Sequence, residues 1–390
     1  MAQGRFSLDA AHGVHRPGSH QRARSIIEGL LQHAGIRIDG RQPWDMQVHD
    51  ERLYDRVLSE GTLGLGEAWM DGWWDCAQLD EFTCRALRVR LDQHIQVGWY
   101  EAWRMLCGLL ANLQSRSRAF VVGEQHYDLG NQLYQCMLDR RMTYTCGYWA
   151  DASDLDQAQA HKLDLSCRKL GLQAGQRVLD IGCGWGSFAE YAARHYGVEV
   201  VGITISREQV ELARQRCKGL PVEIRLQDYR ELDERFDHIV SLGMFEHVGW
   251  KNYAAYMGVV QRCLPDGGLF LLHSIGANHS RPHADPWIDR HIFPNGGLPS
   301  IAQIGKACES CLVMEDWHNF GADYDRTLMA WHANFERHWP QLEGHYDLRF
   351  RRMWRYYLLT CAGAFRARDI QLWQVVLSKG GVPGGYRSLR

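Results

Sequence analysis

The stretch Arg177-Val-Leu-Asp-Ile-Gly-Cys-Gly-Trp-Gly-Ser187 reads as one short apolar strand running into a tight turn, with glycines at 182, 184 and 186. Glycines at that spacing let bare backbone come close to a ligand, and a helix starting near Ser187 points its positive end at a carboxylate or phosphate. A dinucleotide fingerprint would place an acid roughly 20 residues further on. The next strand, Val198-Glu-Val-Val-Gly-Ile-Thr-Ile-Ser206, instead ends in Thr204 and Ser206, and the acid stands before the glycines at Asp180.

Working outward, Val222-Glu-Ile-Arg-Leu-Gln-Asp-Tyr229, Phe236-Asp-His-Ile-Val-Ser-Leu-Gly243 and Gly267-Gly-Leu-Phe-Leu-Leu-His-Ser274 are further short apolar runs, separated by polar segments of helical length. Strands alternating with helices imply a parallel sheet with ligands at its C-terminal edge, where Gly182, Thr204, Asp228 and Glu246 follow four successive strands. The Asp-x-Gly-x-Gly-x-Gly arrangement resembles the S-adenosylmethionine (SAM) site of Rossmann-like methyltransferases. The expected fold is therefore α/β: a Rossmann-like SAM-dependent methyltransferase domain with a smaller N-terminal, mainly helical domain.

At 390 residues the chain has room for two domains. Its 44 basic and 46 acidic residues leave a net charge of -2, which argues against a nucleic-acid binder driven by phosphate charge. Twelve scattered cysteines, with one Cys-x-x-Cys at Cys308 and Cys311 and no second pair to complete a zinc site, read as reduced thiols, and no metal site is expected. The N-terminus lacks an apolar signal segment and no run approaches a membrane span, so a cytoplasmic enzyme is expected.

Residues 1–24 read as a polar leader and 25–113 as an N-terminal domain opening on the amphipathic Ser25–Gly35 segment and helical to about Leu113. Residues 114–125 read as a polar linker and 126–390 as the catalytic domain. Trp69, Trp73 and Trp74 suit either a buried aromatic core or an interfacial surface. Arg349, Arg351, Arg352 and Arg355, interleaved with aromatics, suit either a solvated face or contact with anionic headgroups.

Six segments narrow the class: Glu124-Gln-His-Tyr-Asp-Leu-Gly-Asn131, Met142-Thr-Tyr-Thr-Cys-Gly-Tyr-Trp149, Asp180-Ile-Gly-Cys-Gly-Trp-Gly186, Gly243-Met-Phe-Glu-His-Val-Gly249, Phe320-Gly-Ala-Asp-Tyr-Asp325 and Cys361-Ala-Gly-Ala-Phe-Arg366. Together, and in this order, they closely resemble the cyclopropane-fatty-acyl-phospholipid synthases. The resemblance runs from about residue 25 to about 378. It implies methyl transfer from SAM to the cis double bond of a phospholipid acyl chain, then loss of a proton from the new methyl group and ring closure. An isolated alkene is a poor nucleophile, so the donor must be held in line in a dry site, where water cannot capture the cation.

The resemblance implies a bicarbonate ion as base, held by Glu246, His273 and Tyr324 and by main-chain groups of Cys146 and Ile275. A glutamate beside an anion fits by charge if Glu246 is protonated or shares a proton, or if His273 is cationic. For SAM it implies Tyr144 and Thr145, then Asp180, Gly182, Gly184 and Gly186. Thr204, Ile205, Ser206 and Gln209 follow after the second strand, and Gln227, Asp228 and Tyr229 after the third. Cys361 matches a family position, yet the chemistry calls for no covalent nucleophile. A homodimer, peripherally attached to the inner face of the cell membrane, is implied as well. The rival readings are methylation without ring closure, a small-molecule N- or O-methyltransferase, and a SAM-binding or lipid carrier without catalysis.

Overall fold

The structure, a computed structural model, describes residues 18–91, 130–281 and 284–390. The expected linker 114–125, the stretch ending near Leu113 and most of the Glu124–Asn131 segment lie outside the described residues. Helix α1 (Gly18–His33) begins inside the expected leader and is followed by β1 (Gln47–Val48), α2 (Arg52–Glu60), α3 (Thr62–Met70), β2 (Trp74–Asp75) and α4 (Leu79–Arg88). The early start of α1 has a packing cause: Ala23, Ile27 and Leu31, one turn apart, are all buried, which outweighs the weak helix propensity of Gly18 and Ser19.

The second part runs α5 (Asn131–Met137), α6 (Leu155–Lys169), β3 (Arg177–Ile181), α7 (Ser187–Tyr196), β4 (Glu199–Thr204), α8 (Arg207–Arg216), β5 (Val222–Leu226), β6 (His238–Leu242), α9 (Tyr253–Cys263) and β7 (Leu269–Ala277). It closes with α10 (Pro286–His291), α11 (Ile301–Cys308), β8 (Val313–Asn319), α12 (Ala322–Leu342), α13 (Leu348–Arg366) and β9 (Ile370–Ser378). Among the described residues one sheet has seven strands in the order β5-β4-β3-β6-β7-β9-β8. Neighbours are parallel from β5 through β7, while β9 runs antiparallel to both β7 and β8. The chain order reverses between β3 and β6, the position at which such sheets open a crevice for ligands. All five strands expected from the apolar runs are present; β4, β5 and β6 are shorter than expected by a few residues, while β7 runs on past Ser274 to Ala277.

The N-terminal helices share one apolar core with α12 and α13. Trp69 and Trp74 are buried in that core, so the packing alternative holds for them, and Trp73 lies half-buried beneath the guanidinium groups of Arg52 and Arg56. The arginines of α13 hold the layers together. Arg352 donates to the Trp74 carbonyl and to Asp75 Oδ1, both at 2.8 Å, Arg349 pairs with Asp71, and Arg351 and Arg355 pair with Glu336 of α12. Arg366 bridges Asp80 of α4 to Asp325 of α12. The basic stripe of α13 is thus engaged within the protein.

Gly363 lets α13 cross α4 closely: a Cβ there would lie 2.4 Å from the Asp80 carbonyl oxygen. Valine at 363 must separate the two helices, which costs about 1–3 kcal/mol by the usual measure of overpacking. A thermal-unfolding scan should show a lowered midpoint, with the glycine turn unaffected.

Candidate active site: two cavities sharing one wall

A first cavity of about 170 Å³ lies over the C-terminal ends of β3 to β6. The sequence-predicted Tyr144, Thr145, Asp180, Gly182, Gly184, Thr204, Ile205, Gln209, Gln227, Asp228 and Tyr229 all line it. The three glycines divide two tasks, and all have positive φ. A Cβ on Gly182 would meet Met244 at 2.6 Å, and one on Gly186 would meet Ala213 and Cys217 at 3.2 and 3.3 Å, so both serve close packing. A Cβ on Gly184 would meet nothing within 4 Å and would enter the cavity itself. Gly186 does not line the cavity, and neither does Ser206, whose hydroxyl caps α8 by accepting from the Gln209 N–H. Both therefore support the site from behind.

Asp180 tests whether the cavity suits SAM. Burial pushes its carboxyl up to about 7, opposed by Lys162, and its Oδ2 is buried without a hydrogen-bond partner among the described residues. A cationic ligand fits such an oxygen. Lys162, lowered by burial to about 8, donates to Thr145 Oγ1 at 2.8 Å and so fixes the loop that walls the cavity. Asp228 accepts from the Arg230 N–H through Oδ1 and starts a short 3₁₀ turn, which fixes the strand-end carboxylate.

A second, larger cavity of about 420 Å³ extends from the sheet edge into the N-terminal helices. Leu30, Leu31, Val57, Leu65, Phe82 and Leu87 form its far end. Its near end holds Glu246, Ile275, Tyr324 and Cys361. Tyr144, Thr145, Gly243 and His247 line both cavities and form their shared wall. Gly243 is needed there, because its φ is positive and a Cβ would lie 2.5 Å from Thr145 Cγ2.

Glu246 sits on the short 3₁₀ turn Phe245–His247 after β6. Its Oε1 accepts from the Ile275 N–H at 2.7 Å, while Oε2 is buried with no partner among the described residues. Burial pushes this carboxyl up to about 7, only partly offset by the Ile275 N–H. It can thus be neutral and offer a proton near neutral pH, the first of the two conditions under which the residue tolerates an anion. The second fails: burial, with Lys162 and Lys169 nearby, holds His273 well below its ordinary value, so it is neutral and not cationic.

Neither His273 nor Cys146 lines the cavity, and the Ile275 N–H, expected to meet an anion, is already given to Glu246. The Cys146 segment is nevertheless held firmly. Thr327 Oγ1 accepts from the Gly147 N–H and from Trp149 Nε1, and Asp323 accepts from the Trp149 N–H, which ties this loop to the first turns of α12 that carry Tyr324. Burial raises the Tyr324 phenol well above its ordinary range, so it remains a protonated donor.

Cys361 lines the apolar cavity, and burial pushes its thiol up to about 12. A thiol that keeps its proton is a poor nucleophile. Cys361→Ser should keep turnover within a few-fold of the parent in a methyl-transfer assay; complete loss with normal SAM binding would give the thiol a chemical role. His247 lies within the Gly243–Gly249 segment, where nothing in the sequence pattern singles it out. It lines both cavities, and burial lowers it to about 4, leaving a neutral imidazole.

A family model described as mycolic acid cyclopropane synthetase matches residues 114–375. The chain is 54% identical, over 365 residues, to the cyclopropane-fatty-acyl-phospholipid synthase of Escherichia coli (strain K12), covering 94% of this chain and 95% of that protein. The solved structure of the cyclopropane synthase MmaA2 from Mycobacterium tuberculosis matches with a TM-score of 0.63 and 30% identity, over 67% of this chain and 98% of that one. The structure of mycolic acid cyclopropane synthase CmaA1 complexed with SAH and CTAB matches with a TM-score of 0.62 and 32% identity, over 67% and 98%.

Proposed function

The chain belongs to the mycolic acid cyclopropane synthetase family, and from that premise we propose how its two cavities divide the reaction. The enzyme transfers the methyl carbon of SAM to the cis double bond of an unsaturated phospholipid acyl chain and forms a cyclopropane ring. In the proposed division the first cavity holds SAM and the second the acyl chain. The observation that carries this reading is the wall common to both, made by Tyr144, Thr145, Gly243 and His247.

SAM supplies an electrophilic methyl group, and the residues around it do the positioning. Gly184 leaves room for the ligand, Asp180 offers an unpaired oxygen to its cationic end, and Gln209 with Thr204, hydrogen-bonded at 2.7 Å, suits ribose hydroxyls in place of the usual acid. Asp228 would accept from the adenine amino group in this reading. In the second cavity the leucines and Phe82 of the N-terminal helices bury the chain and exclude water that would quench a cation.

Bicarbonate supplies the base in this reading. Glu246, protonated, would donate to it through Oε2, Tyr324 would donate from the opposite helix, and His273 would contribute from behind the cavity wall. The proposed assignment extends to peripheral docking on the inner membrane face, as a homodimer, with the acyl chain drawn from the bilayer between the N-terminal helices. No helix among the described residues is long and apolar enough to cross a membrane.

The test is incubation of the purified protein with SAM and liposomes of mono-unsaturated phospholipid, then proton NMR of the recovered acyl chains. Ring-proton signals are expected. SAM consumption without ring signals, or with methylene-bearing or branched product, would overturn the ring-closing assignment.

A further inference from the structure

Beneath α6 the sheet brings three polar residues into one row. Gln374 of β9 is in register with His273 of β7 on one side and with His318 of β8 on the other. Helix α6 meets the row with Ser166 and Lys169, three residues apart and so on one helical face. Ser166, Lys169, His273, His318 and Gln374 are all at least nine-tenths buried. Polar groups withdrawn from water in this way are costly unless their hydrogen bonds are made, so the direction of each bond is informative.

The direction can be followed from the helix. Ser166 donates its hydroxyl proton to the Lys162 carbonyl at 2.8 Å. The hydroxyl oxygen is then the acceptor for Gln374 Nε2 at 3.1 Å, which sets the orientation of the amide. The same Nε2 lies 3.4 Å from His273 Nδ1 and directs its second proton there. A ring nitrogen that accepts carries no proton of its own, so the proton of the neutral ring belongs on Nε2. That nitrogen is buried and has no partner among the described residues. Lys169 donates to His318 Nδ1 at 3.0 Å and imposes the same tautomer at the other end of the row.

We propose that Gln374, oriented by Ser166, is a positioning residue that holds His273 as the Nε2–H tautomer and so presents one fixed donor to the anion of the reaction. This rests on the assignment of His273 to the bicarbonate site. Proton transfer is not asked of Gln374; it acts through the imidazole alone, much as the outer partners of metal-bound histidines fix ring orientation.

The test is a long-range proton–nitrogen NMR spectrum of enzyme labelled with ¹⁵N-histidine, the His273 signals being identified by their loss in His273→Gln. The parent is expected to show the Nε2–H pattern. Gln374→Glu, whose carboxylate accepts from Nδ1–H, is expected to switch it, and Gln374→Met to leave a mixture. Ser166→Ala, which frees the amide to rotate, provides a milder second route to that mixture. Turnover should fall about tenfold or more in Gln374→Glu, the scale seen when an orienting partner is lost, with SAM affinity unchanged. An Nδ1–H pattern in the parent, or the parent pattern in all three variants, overturns the proposal. A switched tautomer with unchanged turnover upholds the role of Gln374 and removes His273 from the bicarbonate site.

Discussion

Gly184→Val is expected to abolish SAM binding while leaving the fold in place. The residue has φ +53°, a left-handed conformation that β-branched side chains rarely adopt, and this alone costs about 1–2 kcal/mol. The larger effect is steric. No protein atom lies within 4 Å of a Cβ at this position, so the added side chain meets no neighbour and fills ligand space in the cavity. Titration of SAM by calorimetry should show affinity lowered by roughly a hundredfold or more, equivalent to about 3 kcal/mol, with far-ultraviolet circular dichroism unchanged. Gly186→Val should behave differently, since its Cβ would press on Ala213 and Cys217 of the adjacent helix region and lower stability first. Equal and purely ligand-directed losses in the two variants would mean the division of tasks among the glycines is wrong.

Glu246→Ala is expected to produce the opposite split. Removing the carboxyl takes away the unpaired Oε2 and leaves the Ile275 N–H without its acceptor, yet Glu246 does not line the first cavity. Turnover should drop by roughly a hundredfold or more, the range for loss of a positioned acid or base, while SAM affinity stays within a few-fold. The pH dependence adds a second check. With the folded carboxyl raised to about 7, the protonated fraction, and with it this residue's ability to donate, declines as pH rises through 7. The parent should therefore lose turnover on that limb, and Glu246→Ala should lack the limb. Stability changes in the same sense: between the ordinary glutamate value and about 7 the folded protein holds a proton that the unfolded chain has released, so the parent loses stability with rising pH across that window.

The sheet and the wall of the first cavity were legible because their signals are local. Gly182, Gly184 and Gly186 have the positive φ that glycine alone adopts freely, and α7 begins at Ser187, immediately after the turn. The five strands β3 to β7 carry apolar runs whose spacing survives in the register. The second cavity was not legible, because Leu31, Val57 and Phe82 come from separate helices, and only tertiary packing places them beside Tyr324 and Cys361. The same holds for the charge state of the centre. Sequence left open whether Glu246 carries a proton or His273 a charge; burial and the two lysines of α6 decide for the first. The arginines of α13 show the reverse case, where an exposed-looking pattern is absorbed by Asp71, Asp75 and Glu336.

The central claim is that Glu246 and its neighbours hold the base at the junction of the two cavities. The most direct measurement is turnover on mono-unsaturated phospholipid liposomes in buffer stripped of carbon dioxide, with bicarbonate then titrated back, for the parent and for Glu246→Ala. The account predicts that the parent loses most of its turnover on stripping and regains it in a saturable way, whereas Glu246→Ala shows no saturable recovery over the same range. A parent enzyme indifferent to bicarbonate, or a Glu246→Ala enzyme recovering along the same titration curve, would contradict it.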